Sequence, residues 1–354
     1  MQKMKKRFSY QFLKNDGVAP SLFSLSNVIT ELKFRTDERK KTDKKIFEKL
    51  GTIAIVESVQ GSNAIEGILA TTERIKEIVE KDSEPLGHNE EEIAGYHDAI
   101  RFVTEHYEDL DLNEETVREI HRLLTARHHG YRGGEYKRTD NIIAEKNETG
   151  EIVRVLFEPV PAREVEEAMK AFFSAYAIAR DESEIHPLLL IPCAIVDFLS
   201  IHPFTDGNGR VSRLLTLLLL YKAGYDIGKY LSFEGMINKF RGNYYGALES
   251  SQQRWADNAN SYDPFITFTF QILYQCYKEM NRRLVVIEGG KKTKAARVEA
   301  IILGSIVPLS KADIAEFAPD VSVTTIEAAL AKLQKQGKIR KIGTFKNARY
   351  VKAR

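Results

Sequence analysis

Cysteine is scarce in this chain, tryptophan is scarcer, and long apolar runs are missing. Two cysteines among 354 residues, Cys193 and Cys276, cannot build a disulfide framework or a cysteine-rich zinc site. As isolated thiols they are expected to pack as small hydrophobes. No run approaches the roughly 18 apolar residues that a membrane-spanning helix needs. The longest, residues 214–221, is interrupted by Thr216 and flanked by Arg213 and Lys222. The N-terminal stretch MQKMKKRFSYQFLK is basic but has no apolar core, so it does not read as a secretory signal, and a cytoplasmic protein is expected. A large net charge is absent too, with 52 Lys and Arg against 50 Asp and Glu. That balance hides an asymmetry. The residues from Lys291 onward hold 14 basic and 5 acidic side chains, so polyanion affinity is expected only at that end.

What is present is the composition of an ordinary globular protein, 43% hydrophobic and 29% charged, long enough for two or three domains. Ile46, Phe47, Leu50, Ile53, Ala54 and Val56 recur at helical spacing and predict a helix over residues 44–66, stopped by Gly67. Ser62 and Glu66, four apart, share one face of its last turn. Further helices are expected at 71–81, 90–107 and 113–125. Residues 128–160 read differently. Gly130, Gly133 and Gly134 lead into two β-rich runs around the polar turn 147–150, a hairpin pattern closed by Pro159 and Pro161. Helices resume at 162–179, 188–200, 209–221, 232–253 and 263–282. A glycine pair and a charge run at 288–292 suggest a linker. Beyond it, helices at 295–304, 311–317 and 322–336 precede a hairpin from 338–344 and 349–352, the order of a winged helix-turn-helix. The expected fold is mainly α.

One segment concentrates chemistry: His202-Pro203-Phe204-Thr205-Asp206-Gly207-Asn208-Gly209-Arg210-Val211-Ser212-Arg213, between two strongly apolar helices. Gly207 and Gly209 let backbone approach a ligand closely, and the helix that follows presents unpaired N–H groups, together a phosphate site. Arg210 and Arg213, three apart, are expected to reach one anion from the first turn. Asp206 offers a hard oxygen for Mg²⁺ beside phosphates. His202, across the loop, is a candidate general base. A histidine at a helix end, a Gly-Asn-Gly turn or an arginine pair alone is usually structural. Their conjunction within twelve residues points to function.

This segment resembles the Fic family signature, His-x-Phe-x-Asp/Glu-Gly-Asn-Gly-Arg-x-x-Arg, at every specified position. The resemblance extends over about residues 44–280. It implies a Fic-type helical core with a β-hairpin flap, over 111–285, behind an N-terminal helical region, 1–110, and ahead of the winged helix-turn-helix, 291–354. It also implies a protein adenylyltransferase that moves AMP from ATP to a Ser, Thr or Tyr hydroxyl of a target protein. In that role His202 would deprotonate the hydroxyl and Asp206 would hold Mg²⁺. The Gly207-Asn208-Gly209 backbone with the Asn208 side chain would form an anion hole, while Arg210 and Arg213 would grip the β- and γ-phosphates.

Further matches extend the resemblance. Tyr244, Tyr245 and Leu248 resemble the adenine-contacting helix of the family, although Gln252 stands where an Asn is frequent. The alternative for the tyrosines is core packing. The hairpin resembles the flap that docks the target by strand addition, and Arg154, Val155, Leu156 and Phe157 would lie near the nucleotide. Lys137 stands where many members have Arg. Ser62-Asn63-Ala64-Ile65-Glu66-Gly67 resembles the inhibitory motif, in which Glu66 would pair with Arg213 and deny it to ATP. His106, His121, His128 and His129 have no carboxylate or cysteine at ligand spacing and read as surface or flap-base residues. Self-modification and a homodimer are further expectations, the winged helix is expected either to bind DNA or to serve as a protein-docking or dimer module, and no membrane partner is expected. AMP removal, transfer of another phosphate-containing group, and a nucleotide-sensing DNA-binding regulator are the competing readings.

Overall fold

The computed structural model describes residues 6–15, 19–127, 133–147, 149, 151–182, 184–287, 293–305, 308–318, 321–343 and 348–353. His128-His129-Gly130, the turn residues Glu148 and Gly150, the linker 288–292 and Thr344 lie outside them. The described residues form fifteen α-helices and two antiparallel strand pairs. The N-terminal helices are α1 (Phe12–Asn15), α2 (Pro20–Thr42), α3 (Lys44–Ile65), α4 (Thr72–Lys81), α5 (His88–His106) and α6 (Glu114–Thr125). The hairpin β1 (Ile143–Lys146) and β2 (Ile152–Phe157) precedes α7 (Val165–Arg180), α8 (Pro187–Ile201) and α9 (Asn208–Lys222). Then come α10 (Phe233–Lys239), α11 (Arg241–Gln252) and α12 (Asp263–Ile287). The C-terminal unit is α13 (Lys294–Gly304), α14 (Lys311–Phe317), α15 (Val323–Lys335), β3 (Ile339–Ile342) and β4 (Arg349–Lys352).

Helices α8 and α9 are apolar on every side, which requires that neighbours cover them all round. They pack on each other, and α9 is covered by α3, α5 and α6 while α8 is covered by α7, α11 and α12. Asp197, the buried carboxylate of α8, accepts from Tyr10 Oη at 2.8 Å, Trp255 Nε1 at 2.7 Å and Tyr262 Oη at 2.6 Å. These three donors meet the cost of burying it and tie the N-terminal segment to α8. Both cysteines are buried free thiols. Among the described residues no helix is long and apolar enough to cross a membrane.

Most expected elements are present; the short helix α1 is additional, and two differences bear on the packing. Helix α2 was not expected, since it buries only Leu22, Ile29 and Thr36, a stripe one residue wide against α12. The segment expected as one helix over 232–253 is two, because Phe240 leaves helical geometry at φ −112°, ψ 32°. In the C-terminal unit three helices open on Thr293, Ser310 and Ser322 caps, and β3 pairs antiparallel with β4. The unit sits on the N-terminal helices: α13 packs on α12, Lys49 Nζ donates to Asp313 Oδ1 at 3.2 Å, and Lys76 Nζ donates to the Pro308 carbonyl at 3.4 Å.

Candidate active site

The motif loop bridges the C-terminus of α8 and the N-terminus of α9. His202 ends α8 in left-handed geometry, φ 52°, and Gly207 opens α9 at φ 77°. A Cβ on Gly207 would meet Leu124 at 3.0 Å, so glycine is needed there for both conformation and space. Two buried side chains brace the loop. Asn208 Oδ1 accepts the Phe204 N–H at 2.9 Å and Asn208 Nδ2 donates to the Phe204 carbonyl at 2.8 Å. The Asn208 side chain is thus engaged in closing the loop onto Phe204. His121 stacks on Phe204 with ring centroids 3.7 Å apart. Its Nδ1 accepts the Gly134 N–H at 2.8 Å and its Nε2 lies 3.2 Å from the Asp206 carbonyl, so the proton sits on Nε2. Read from sequence as a surface or flap-base residue, His121 is instead fully buried.

His202 is half-buried, with Nδ1 3.3 Å from the Leu199 carbonyl. A carbonyl only accepts, so Nδ1 carries the hydrogen and Nε2 presents its lone pair. Burial, with the Lys137 ammonium beside it, pushes the imidazole pKa down to about 4. Lys137 is itself buried, tied by its N–H to the Pro203 carbonyl at 2.8 Å and by Nζ to Asn141 Oδ1 at 2.7 Å. Burial brings the lysine down to about 8.

Arg213, only 2% exposed, is held by the end of α3. Its Nε donates to Ser62 Oγ at 2.8 Å, and its Nη2 donates to the Ser62 carbonyl at 3.2 Å and Glu66 Oε1 at 2.8 Å. Burial works against the charge on Glu66, but Arg213, Arg210 and Arg241 outweigh it and hold the carboxyl below its ordinary range. The Glu66 carboxylate also lies over the first turn of α9, since a Cβ on Gly209 would meet Glu66 Oε1 at 2.5 Å. Arg210 does not share Arg213's partners. It reaches Glu92 of α5 through Nη1, and Asp206 Oδ2 lies 3.5 Å from its Nη2. Glu92 was not anticipated: in Glu90-Glu91-Glu92 it looks like part of a solvated acidic run, yet it is 3% exposed.

Of the other expected site residues, Tyr244 is buried against Phe265 and Phe268, and Gln252 turns inward to Ser200 Oγ at 3.1 Å. Leu248 is half-buried against the core, and Tyr245 lies with its hydroxyl 3.4 Å from the Ile65 carbonyl, next to the end of α3. On the hairpin, Arg154 pairs with Glu249 of α11, Phe157 packs edge-on to Trp255, and Val155 and Leu156 face solvent. Among the described residues no cluster of three His, Cys, Asp or Glu could cage a metal ion. Asp206 stands as a single exposed carboxylate whose Oδ1 accepts the Gly207 N–H at 2.7 Å. That suits Mg²⁺, which takes one or two protein carboxylates and fills its shell with phosphate oxygens and water.

Fold and site together describe a mainly helical protein with a glycine-bearing loop set in its core. Residues 111–220 match the Fic/DOC family. It is similar to the protein adenylyltransferase Fic of Nematostella vectensis, 30% identical over 226 residues that cover 61% of this chain and 46% of that protein. The protein of the same name from Drosophila melanogaster is 28% identical over 178 residues, 49% of this chain and 33% of that protein. The chain thus spans less than half the length of these curated relatives. A Fic family protein from Desulfovibrio desulfuricans G20 shares the fold at a TM-score of 0.62 and 22% identity, over 96% of this chain and 97% of that one.

Proposed function

We propose that the protein transfers AMP from ATP to a hydroxyl side chain of a target protein, and that the structure is its self-inhibited form. The observation that carries this is the placement of Glu66 on Arg213 and against Gly209, at the mouth of the α9 N-terminus and beside His202. With that carboxylate moved aside, the α9 N–H groups, Arg210 and Arg213 would face the phosphates. The target hydroxyl oxygen would then bond to the α-phosphorus as the bond to pyrophosphate breaks, and its proton would pass to His202 Nε2. A histidine with pKa near 4 is neutral at pH 7 and already able to accept. Asp206 would hold Mg²⁺, which neutralises charge on the α- and β-phosphates. Tyr245 and Leu248 would contact the base. The exposed strands of the hairpin offer backbone for a target segment, with Arg154–Glu249 fixing the hairpin to α11.

A second property is supported by a separate observation. On α15 and β3, Lys332, Lys335, Arg340 and Lys341 are exposed, as are Val323 and Thr324 in the first turn of α15. This is the charge and helix arrangement by which winged helices meet duplex DNA. The adenylyltransferase reading is tested by incubating the protein with α-labelled ATP and following label on protein. Label that depends on His202 supports it, and free AMP release without protein label refutes it.

A further inference from the structure

We propose that Glu92 is a positioning residue for the phosphate grip, holding the inner edge of Arg210 so that its outer edge meets the nucleotide. Arg210 is 3% exposed and its Nε has no hydrogen-bond acceptor among the described residues. A guanidinium in such surroundings is costly to keep charged. The carboxylate of Glu92, from a different helix and as deeply buried, faces Nη1 as an ion-pair partner, placed to offset that charge. Nη2 is left on the loop side, where Asp206 Oδ2 stands 3.5 Å away. Glu92, Arg210 and Asp206 thus form a line from α5 to the expected Mg²⁺ ligand. This line is separate from the Glu66–Arg213 pair, so Arg210 keeps an anchored counter-charge when Glu66 leaves. One buried cation is restrained by the brake, and the other by a fixed carboxylate.

The proposal rests on the reading that the site binds a nucleoside triphosphate, and the test keeps the two apart. Binding of ATP and of adenosine is measured by calorimetry in the Glu66→Gly protein, alone and with Glu92→Gln, Glu92→Ala, Arg210→Ala and the Glu92→Gln/Arg210→Ala pair. Buried charge-assisted pairs of this kind govern affinity by about tenfold or more. Glu92→Ala is expected to weaken ATP about tenfold and Glu92→Gln about threefold, with adenosine changed less than twofold. In AMP transfer the KM for ATP is expected to rise while kcat stays within about twofold. Once Arg210 is Ala, Glu92→Gln should have no further effect, because its influence runs through that guanidinium. Parental ATP affinity in Glu92→Gln, parallel loss of ATP and adenosine, or an undiminished effect without Arg210 would overturn the proposal. If Glu92→Ala fails to fold, the near-isosteric Glu92→Gln decides. Failure of the Glu66→Gly parent itself to bind ATP would instead overturn the triphosphate reading on which the proposal rests.

Discussion

Replacing Glu66 with glycine removes one negative charge from beside Arg213 and clears the space above Gly209. Two opposite charges about 4 Å apart attract by about 4 kcal/mol at an effective dielectric constant of about 20. Arg213 is fully buried, but the Glu66 side chain keeps 32% of its exposure, so solvent screens the pair. Fully exposed pairs give about 1 kcal/mol or less. A value between these, about 2 kcal/mol, corresponds to about a 30-fold change in the population of the open site. Auto-modification of Glu66→Gly, followed with α-labelled ATP at subsaturating nucleotide, should therefore exceed that of the parent by about 30-fold. Glu66→Gln keeps the shape and a hydrogen bond to Nη2 but not the charge, so its gain should be smaller. Arg213→Ala in the Glu66→Gly background should reverse part of the gain, because the released guanidinium is then lost as a phosphate ligand. Equal rates for Glu66→Gly and the parent, with both proteins binding ATP, would show that this carboxylate is no brake.

His202→Ala should abolish transfer with nucleotide binding nearly intact, a loss of about 10²–10⁴-fold for a missing base. In the Glu66→Gly protein, whose loss removes a charge that raises the histidine pKa, the rate should show no acidic fall between pH 7.5 and 5.5, and a limb near pH 6.5 would contradict the buried, neutral imidazole. Asp206→Ala should weaken ATP binding in Mg²⁺ and leave binding in EDTA unchanged, as read by a nucleotide titration under both conditions. Gly61→Ala places a Cβ 2.7 Å from Gly235 N and 2.8 Å from its Cα, both backbone, so α3 must shift away from α10. Overpacking of this kind costs about 1–3 kcal/mol. A lowered melting temperature with raised auto-modification is expected, and parental values for both would refute the seating of α3 on α10. The 354-residue chain should shift duplex DNA in low salt with affinity that falls steeply as salt rises, and binding indifferent to salt would exclude a phosphate-based contact.

The parts of the candidate site that were legible in the sequence are those whose residues lie close together along the chain. The loop from His202 to Arg213 and the four-residue interval between Ser62 and Glu66 are local patterns, and local geometry follows from them. The bracing of the loop is not local. His121 reaches it from α6 and Glu92 from α5, 85 and 118 positions before Asp206 and Arg210, and neither carries a periodic signal of its own. Asn208 could be assigned to the loop but not to a partner, because an amide that binds anions and one that closes a turn look alike in sequence. Helix α2 escaped because three inward residues in 23 leave almost no amphipathic pattern. Tyr244 and Tyr245, adjacent in sequence, part company because consecutive helical positions are about 100° apart, which puts one in the core and the other on the surface.

The contact of Glu66 with Arg213 is made within one chain, across a loop closed by the packing of α3 on α9 and α10. In the proposed self-inhibited form Glu66 would act as a tethered ligand for the anion site, present at an effective concentration set by helix geometry. Dilution would not weaken such an inhibitor, and dialysis would not remove it. Its occupancy would depend on how α3 is seated and on how strongly a phosphate competes for the same N–H groups and guanidinium. Two preparations of the protein at very different concentrations should therefore show the same fractional inhibition per molecule.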